Sequence, residues 1–176
     1  MLETPSVAIT KSSRHQKIIG DFGEQMVMNW LSRSGYEVVR VDHTGIDVIA
    51  YEPRSGRRLG ISVKSRTRMS GTDNSAVSLF SYGGKKDAEK RQHLLKACRA
   101  FGCEPWIAVY VECESKADLY LTRLQHYDMN YRREGRKVEV WAMSSKARQQ
   151  YACDGAVMHV GIVFTPENWI AVTKVP

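Results

Sequence analysis

The fold is decided by two short stretches of sequence, GIDVIA at residues 45–50 and ISVKS at residues 61–65. In both stretches apolar and polar side chains alternate, which is the period of a β-strand with one buried face. The loop between them contains Pro, Ser and Gly, so we expect the two strands to form a hairpin. If the register places Asp47 opposite Ser62 or Lys64, these polar side chains share one face, whereas a slip of one residue separates them.

A helix is predicted before these strands, between Gln16 and Gly35. Its apolar residues recur at spacings of three and four, which builds one stripe along the helix. Ser13 and Gln16 have the spacing of a capping box, and Gly35 is a natural helix stop. At about 100° per residue, Glu24 falls on the edge of the apolar stripe, so its carboxylate is expected to lie against the body of the protein.

Shorter patterns predict the remaining elements. Strands are expected at residues 36–42, 46–51, 59–65, 106–111, 119–122 and 156–164, helices at 85–101 and near 124–132 and 144–151, and a loop at 69–84 interrupted by a short run at 76–80. Trp141 and Tyr151 are expected in the core. No repeat or linker divides the chain, so we expect one α/β domain over residues 1–176, with a core at about 16–122 and a C-terminal extension at about 123–176.

The composition excludes several classes of protein. The 176 residues are 43% hydrophobic, which is too high for a disordered chain, and no apolar run approaches the ~18 residues of a membrane span. Lys and Arg number 26 against 19 Asp and Glu, and the net charge of +7 favours a polyanionic partner. The sequence shows no basic amphipathic helix of the kind that binds a membrane surface. Without a signal-peptide core or a CxxC pair, a cytoplasmic protein with reduced thiols is expected.

Asp47, Lys64 and Glu24 together have the chemistry that phosphodiester hydrolysis requires. Mg²⁺ accepts one or two carboxylates and keeps several waters, so carboxylates on a strand and an adjoining helix are suitable ligands. A lysine on the paired strand can orient the attacking water or partly neutralise it. An Asp and a Lys on neighbouring strands are, however, also common as a surface ion pair.

The order of these motifs, a helix with Gly23-Glu24 followed by GIDVIA and ISVKS, resembles the PD-(D/E)xK nuclease superfamily and its Holliday junction resolvase-like branch. The resemblance covers about residues 16–111. It implies a restriction endonuclease-like α/β fold with an α-β-β-β-α-β core, in which helices flank a mixed central sheet. It also implies that Asp47 and Glu24 bind Mg²⁺ or Mn²⁺, that Val63 adds its backbone carbonyl, and that Lys64 is catalytic. DNA would be the substrate, and a homodimer the active form.

The chain departs from the superfamily pattern at Ser62, which stands where the motif has an acid. Serine is a neutral and weaker ligand, and we expect it to reach the ion through a water. Some restriction endonucleases with Ser at this place take the acid from a following helix; here Glu89 is a weak candidate, beside Asp87 and Asp73. Glu24 alone can also suffice. The alternative function is a catalytically inactive nucleic-acid-binding module of the same fold.

A run of cations supports a nucleic-acid partner, although it does not distinguish DNA from RNA. No acid occurs between residues 53 and 72, a segment that contains Arg54, Arg57, Arg58, Lys64, Arg66 and Arg68. We expect these six positive charges to surround the site and to neutralise phosphates. The loop before the second long helix adds Lys85 and Lys86, which are suited to binding a backbone.

Overall fold

The computed structural model describes residues 11–80, 87–133 and 138–164. The helices in these ranges are α1 His15–Arg33, α2 Asp87–Phe101, α3 Leu124–Asn130 and α4 Ser145–Ala152. The strands are β1 Glu37–His43, β2 Ile46–Tyr51, β3 Arg58–Arg68, β4 Val77–Ser78, β5 Glu104–Cys113, β6 Lys116–Arg123, β7 Val140–Trp141 and β8 Met158–Val163. None of these helices is long and apolar enough to cross a membrane.

Six strands form one mixed sheet in the order β1-β2-β3-β5-β6-β8. β3 and β5 are parallel, because the connection between them crosses over through α2, and the other neighbouring strands are antiparallel. The chain order α1-β1-β2-β3-α2-β5 confirms the predicted α-β-β-β-α-β core, and among the described residues the two-residue β4 is the only insertion. As predicted, the fold is of the α/β class, with helices flanking a mixed central sheet.

The hairpin register satisfies the condition set by the sequence. Val48 pairs with Ile61 and Ala50 with Leu59, so one further step places Asp47 opposite Ser62. The apolar residues that alternate with Asp47, Ser62 and Lys64 pack on the α1 side of the sheet, with one exception. Ile46 packs in the cluster on the α2 side instead, as Ile49 of the opposite face does.

The reason for this exception lies in the turn that precedes Ile46. Gly45 has a φ of +103° and passes so close to α2 that a Cβ would lie 2.6 Å from the backbone of His93. The chain therefore enters β2 from the α2 side, and the strict alternation of faces begins only after Ile46.

Helix α1 confirms the predicted helix, but its predicted capping box is wrong. The N-cap is Arg14, and no side chain caps the helix. The first turn is instead joined to the sheet by His15, whose Nε2 lies 2.6 Å from Thr67 Oγ1 on β3. This tertiary contact shifts the helix start by one residue relative to the position that a Ser13 cap needs.

The C-terminal extension completes the core on the α2 side of the sheet. As predicted, Trp141 and Tyr151 are buried there, together with Tyr127 from α3. β7 was not predicted; it pairs Trp141 with Val77 of β4 and so ties the segment after β3 to the extension.

Candidate functional site

A cavity of about 650 Å³ opens between the β2–β3 hairpin and α2. Its lining includes Asp47, Ser62, Lys64, Arg66, Glu89 and Lys90. The first three come from the hairpin face that the register defines, and the last two from the first turns of α2. The structure therefore brings together the polar hairpin residues singled out from the sequence, and it adds α2 as an opposite wall.

Asp47 and Lys64 are both held by the backbone of Val63. The Val63 amide donates a hydrogen bond of 2.6 Å to Asp47 Oδ2. Lys64 Nζ donates to the Val63 carbonyl and to Ser62 Oγ, each at 3.0 Å. The carboxylate and the ammonium are thus fixed relative to each other by one strand rather than by two flexible side chains.

Burial lowers the pKa of Lys64 below its ordinary value, and this is the largest effect on the group. The Asp47 carboxylate opposes it, because an anion favours the ammonium form. The neighbouring cations Lys90 and Arg66 lower the pKa further. Lys64 is therefore an ammonium whose charge is disfavoured by its surroundings, which is common for groups that take part in proton transfer.

Glu24 lies on α1, which packs on the other side of the sheet, and it is not part of the cavity lining. Its side chain is 19% exposed, and its Oε2 lies 2.8 Å from Arg40 Nε, with which it forms an ion pair. Burial raises the pKa of Glu24, and the Asp47 carboxylate raises it further, whereas Arg40 lowers it. Glu24 is therefore held against the protein, as the sequence indicates, and its pKa depends on the charge of Asp47.

Arg40 is the residue near the site that sequence reasoning missed. Besides Glu24 it pairs with Asp21, at 2.5 Å, so it bridges two acids one turn apart on α1. A signal was available, because Arg40 follows Val38 by two residues and so lies on the same face of β1, and Val38 packs under α1. A cation on the inward face of an edge strand needs an anion on the covering helix, and Asp21 and Glu24 were the candidates.

Only part of the predicted basic surface lies at the cavity. Arg66 lines it, whereas Arg68 donates to the carbonyls of Ser75 and Ala76 and so holds the loop after β3. Lys85 and Lys86 lie outside the described residues. Two residues of α2 that the sequence did not single out, the cation Lys90 and the imidazole of His93, line the cavity instead.

The expectation that six cations surround the site is wrong for Arg54, Arg57 and Arg58. These residues lie at the turn of the β2–β3 hairpin, where Arg58 pairs in register with Tyr51. Arg58 is six residues from Lys64, which is about 20 Å along an extended strand. Arg57 is moreover neutralised by Glu52, at 2.9 Å. Their binding of nucleic acid stays a prediction, but not one that proximity to Asp47 supports.

The oxygen atoms at the cavity suit a divalent ion that keeps most of its bound waters, rather than an ion that is enclosed entirely by protein ligands. Ser62 Oγ and the Val63 carbonyl converge on one cation, which here is the Lys64 ammonium. Asp47 adds one carboxylate, and the exposed Glu89 lies at the same cavity. Within the described residues, no three His, Cys, Asp or Glu side chains form a metal-binding group. Mg²⁺ accepts such a set, because it keeps most of its waters.

Comparison with known proteins gives one kind of similarity. No protein-family model and no curated protein matches the chain. Among solved structures, the chain is similar to Hjc, a Holliday junction resolvase from the archaeal hyperthermophile Archaeoglobus fulgidus. The TM-score is 0.48 at 20% sequence identity, over 74% of this chain and 88% of that one.

Proposed function

We propose that the protein is a metal-dependent endonuclease that hydrolyses DNA phosphodiester bonds at the cavity between the hairpin and α2. The observation that carries the proposal is the pair formed by Asp47 and Lys64 on the Val63 backbone. The carboxylate and the ammonium face one cavity, and cations from β3 and α2 line the same space. Such a cavity can attract a phosphate and position groups for proton transfer.

The two acids of the cavity explain why a divalent ion is part of the proposal. A phosphate close to Asp47 and Glu89 is repelled unless a cation lies between them. Mg²⁺ or Mn²⁺ would be held by Asp47 and the Val63 carbonyl, with Ser62 acting through a water and Glu24 or Glu89 as the second carboxylate. When bound, the ion supplies positive charge that stabilises the charge developing on the phosphate oxygens.

Lys64 is assigned the task of orienting the attacking water. Its Nζ donates to Ser62 Oγ and to the Val63 carbonyl, which leaves the third donor of the ammonium for a water in the cavity that Lys64 lines. Because burial lowers the pKa of Lys64, the ammonium gives up a proton more readily than a solvated lysine does. Arg66 and Lys90 supply additional charge for the phosphate.

One observation favours a second candidate function, a nucleic-acid-binding module without cleavage activity. Ser62 occupies the position of an acid, and the described residues contain no cluster of three metal-binding side chains. A weak metal site and a lost metal site both fit this composition. The homodimer and the cytoplasmic location remain predictions from the sequence under either function.

A nicking assay with a parallel metal titration separates the two functions. We expect the wild type to nick branched, single-stranded or duplex DNA with Mg²⁺ or Mn²⁺, and Asp47→Asn to lose both nicking and saturable Mn²⁺ binding. Glu37→Gln, an exposed acid on β1, is the matched control and should behave as the wild type. DNA binding that needs no metal, combined with no nicking by the wild type, would support the module instead.

A further inference from the structure

A second cavity, of about 500 Å³, adjoins the first one along α2. Thr44 and His93 line both cavities, so the two spaces lie side by side. The remaining lining of the second cavity comes from His43, Lys96, Ala97 and Ala100. A groove therefore runs from Asp47 and Lys64 toward the C-terminal half of α2.

The groove is lined on α2 by two lysines and a histidine at a regular spacing. Lys90, His93 and Lys96 follow one another at three residues, so each step advances about 4.5 Å along the helix axis. The opposite wall is the β1–β2 turn, which is held against α2 by the close approach of Gly45 to the His93 backbone. The width of the groove is therefore set by a backbone contact and not by mobile side chains.

The second cavity differs from the first in its charge. Asp47 and Glu89 line the first cavity, but none of the acids whose side chains the structure describes lines the second one. Lys96 is exposed, and within the described residues no carboxylate pairs with it. The short side chains of Ala97 and Ala100 leave the space beside it open. A cation without a counter-ion, next to open space, is a binding position for an anion.

We propose that the second cavity is a phosphate subsite, which binds a backbone phosphate next to the one that is cleaved. The strand that carries both phosphates lies along α2, with Lys96 and His43 at the second phosphate and Lys90 at the first. His43 is positioned there by Phe101, whose ring packs edge-on at 5.3 Å. The inference rests on the proposed function, since it takes the scissile phosphate to lie at Asp47 and Lys64. Its ligand is a polynucleotide, which is bound more tightly than a mononucleotide.

The first test measures binding alone, in EDTA, with a fluorescently labelled single-stranded DNA oligonucleotide. Lys96→Gln is compared with Lys17→Gln, an exposed lysine on α1 and so on the other side of the sheet. Loss of one phosphate contact reduces the slope of log affinity against log salt by about 0.7. The ratio of wild-type to Lys96→Gln affinity should then fall about threefold between about 50 and 200 mM salt. An unchanged slope, as expected for Lys17→Gln, would overturn the subsite.

The second test uses cleavage, with single methylphosphonate linkages that remove the charge of one phosphate at a time. In the wild type, an uncharged linkage next to the cleaved bond should slow cleavage by about tenfold, which is the value of one charged hydrogen bond. In Lys96→Gln the same substitution should slow cleavage much less, because the Lys96 contact is already absent and only the contact with His43 remains to be lost. Additive effects would show that Lys96 binds elsewhere.

The two tests separate this inference from the proposed function. If the wild type does not nick DNA but Lys96→Gln changes the salt slope, the nuclease proposal fails and the subsite stands as part of a binding module. If the wild type nicks DNA and Lys96→Gln behaves as Lys17→Gln in both assays, the nuclease stands and the subsite is wrong.

Discussion

Lys64 shows at the scale of a single residue what the candidate site costs the protein. Its side chain leaves bulk water to donate to Ser62 Oγ and the Val63 carbonyl, both uncharged acceptors. Asp47 compensates only in part, since the pKa of Lys64 is still lowered. A residue chosen for stability alone would be apolar at this position, so the charge indicates function.

The pH dependence of stability should reveal this cost. The pKa of Lys64 lies below its ordinary value of 10.5 in the folded protein, so between the two values the unfolded chain binds more protons. In that pH range the titration of Lys64 therefore makes the free energy of unfolding increase as the pH rises. We expect Lys64→Met to be more stable than the wild type near neutral pH, by about 1 kcal/mol, and to lose this advantage as the pH approaches the ordinary value.

Urea unfolding of both proteins over a series of pH values measures that difference. Other groups, such as the buried tyrosines, titrate equally in both proteins and cancel in the comparison. Lys96→Met, at an exposed lysine, is the control and should show no such trend. A difference that does not vary with pH would mean that Lys64 is solvated in the folded protein.

Single-residue predictions from the sequence succeeded where the alternation of side chains in the hairpin decides the outcome. Asp47 on β2 and Lys64 on β3 share a face because side chains alternate along each strand, and the one assumption was that the register places Asp47 opposite Ser62 or Lys64. Arg58 was misplaced because closeness in sequence was taken as closeness in space, although an extended strand separates residues quickly. Arg40 was missed because its partner lies on another element, and no period in the sequence encodes a contact between elements.

At the scale of elements, the packing of α1 on the sheet depends on Gly23. A Cβ at this position would lie 2.0 Å from Ser65 Oγ and 3.3 Å from the Cβ of Tyr110. Helix and sheet therefore approach more closely here than any side chain allows. The next residue is Glu24, so the same contact fixes the distance between its carboxylate and the sheet.

Two alanine substitutions on α1 test this contact against each other. Gly23→Ala should lower the free energy of unfolding by about 1–3 kcal/mol, because α1 has to move away from β3. Gly20→Ala should raise it by about 0.5–1 kcal/mol, because no described atom beyond the neighbouring helix backbone lies within 4 Å of the added Cβ and alanine favours the helix. Thermal and urea unfolding measure both. If the two variants shift in the same direction, the helix does not rest on the sheet at Gly23.

Element boundaries show where local sequence signals stop being decisive. The predicted ends of α1 differ little from the observed ones, yet the capping box failed because a contact between His15 and Thr67 positions the first turn. β7 consists of two residues, which is too short to have a period, and it forms only because β4 pairs with it. Both features depend on tertiary contacts with residues more than 50 positions away in the sequence, Thr67 for the start of α1 and Val77 for β7.

The six-stranded sheet has a core on each side, and different helices cover the two sides. α1 covers one side, whereas α2 and the helices of the extension, α3 and α4, cover the other. On the second side Arg91 of α2 pairs with Glu139 at 2.6 Å and with Asp128 of α3. Arg91 also lies over the ring of Phe80, which lines the first cavity. The extension is therefore joined to a wall of the candidate site, a role that the sequence alone did not indicate.

Trp141 is the centre of this arrangement, so its removal should affect the chain as a unit. It stacks on Tyr151 at 4.2 Å and packs against Tyr120 of β6 at 5.6 Å. We expect Trp141→Ala to lower the free energy of unfolding by about 3–5 kcal/mol. Trp141→Phe should lower it much less, because phenylalanine keeps an aromatic ring at this position. It also removes the buried Nε1, which has no hydrogen-bond partner within the described residues.

The form of the unfolding transition then tests the prediction of one domain. If the extension and the core fold together, circular dichroism and DNA binding should be lost in a single urea transition, which Trp141→Ala moves to lower urea as a whole. Trp30→Ala, at a partly buried position on α1, should move the same single transition by a smaller amount. Two separate transitions in Trp141→Ala, with DNA binding retained after the first, would mean that the extension is an independent unit. The cavity wall around Phe80 would then have to be stable without it.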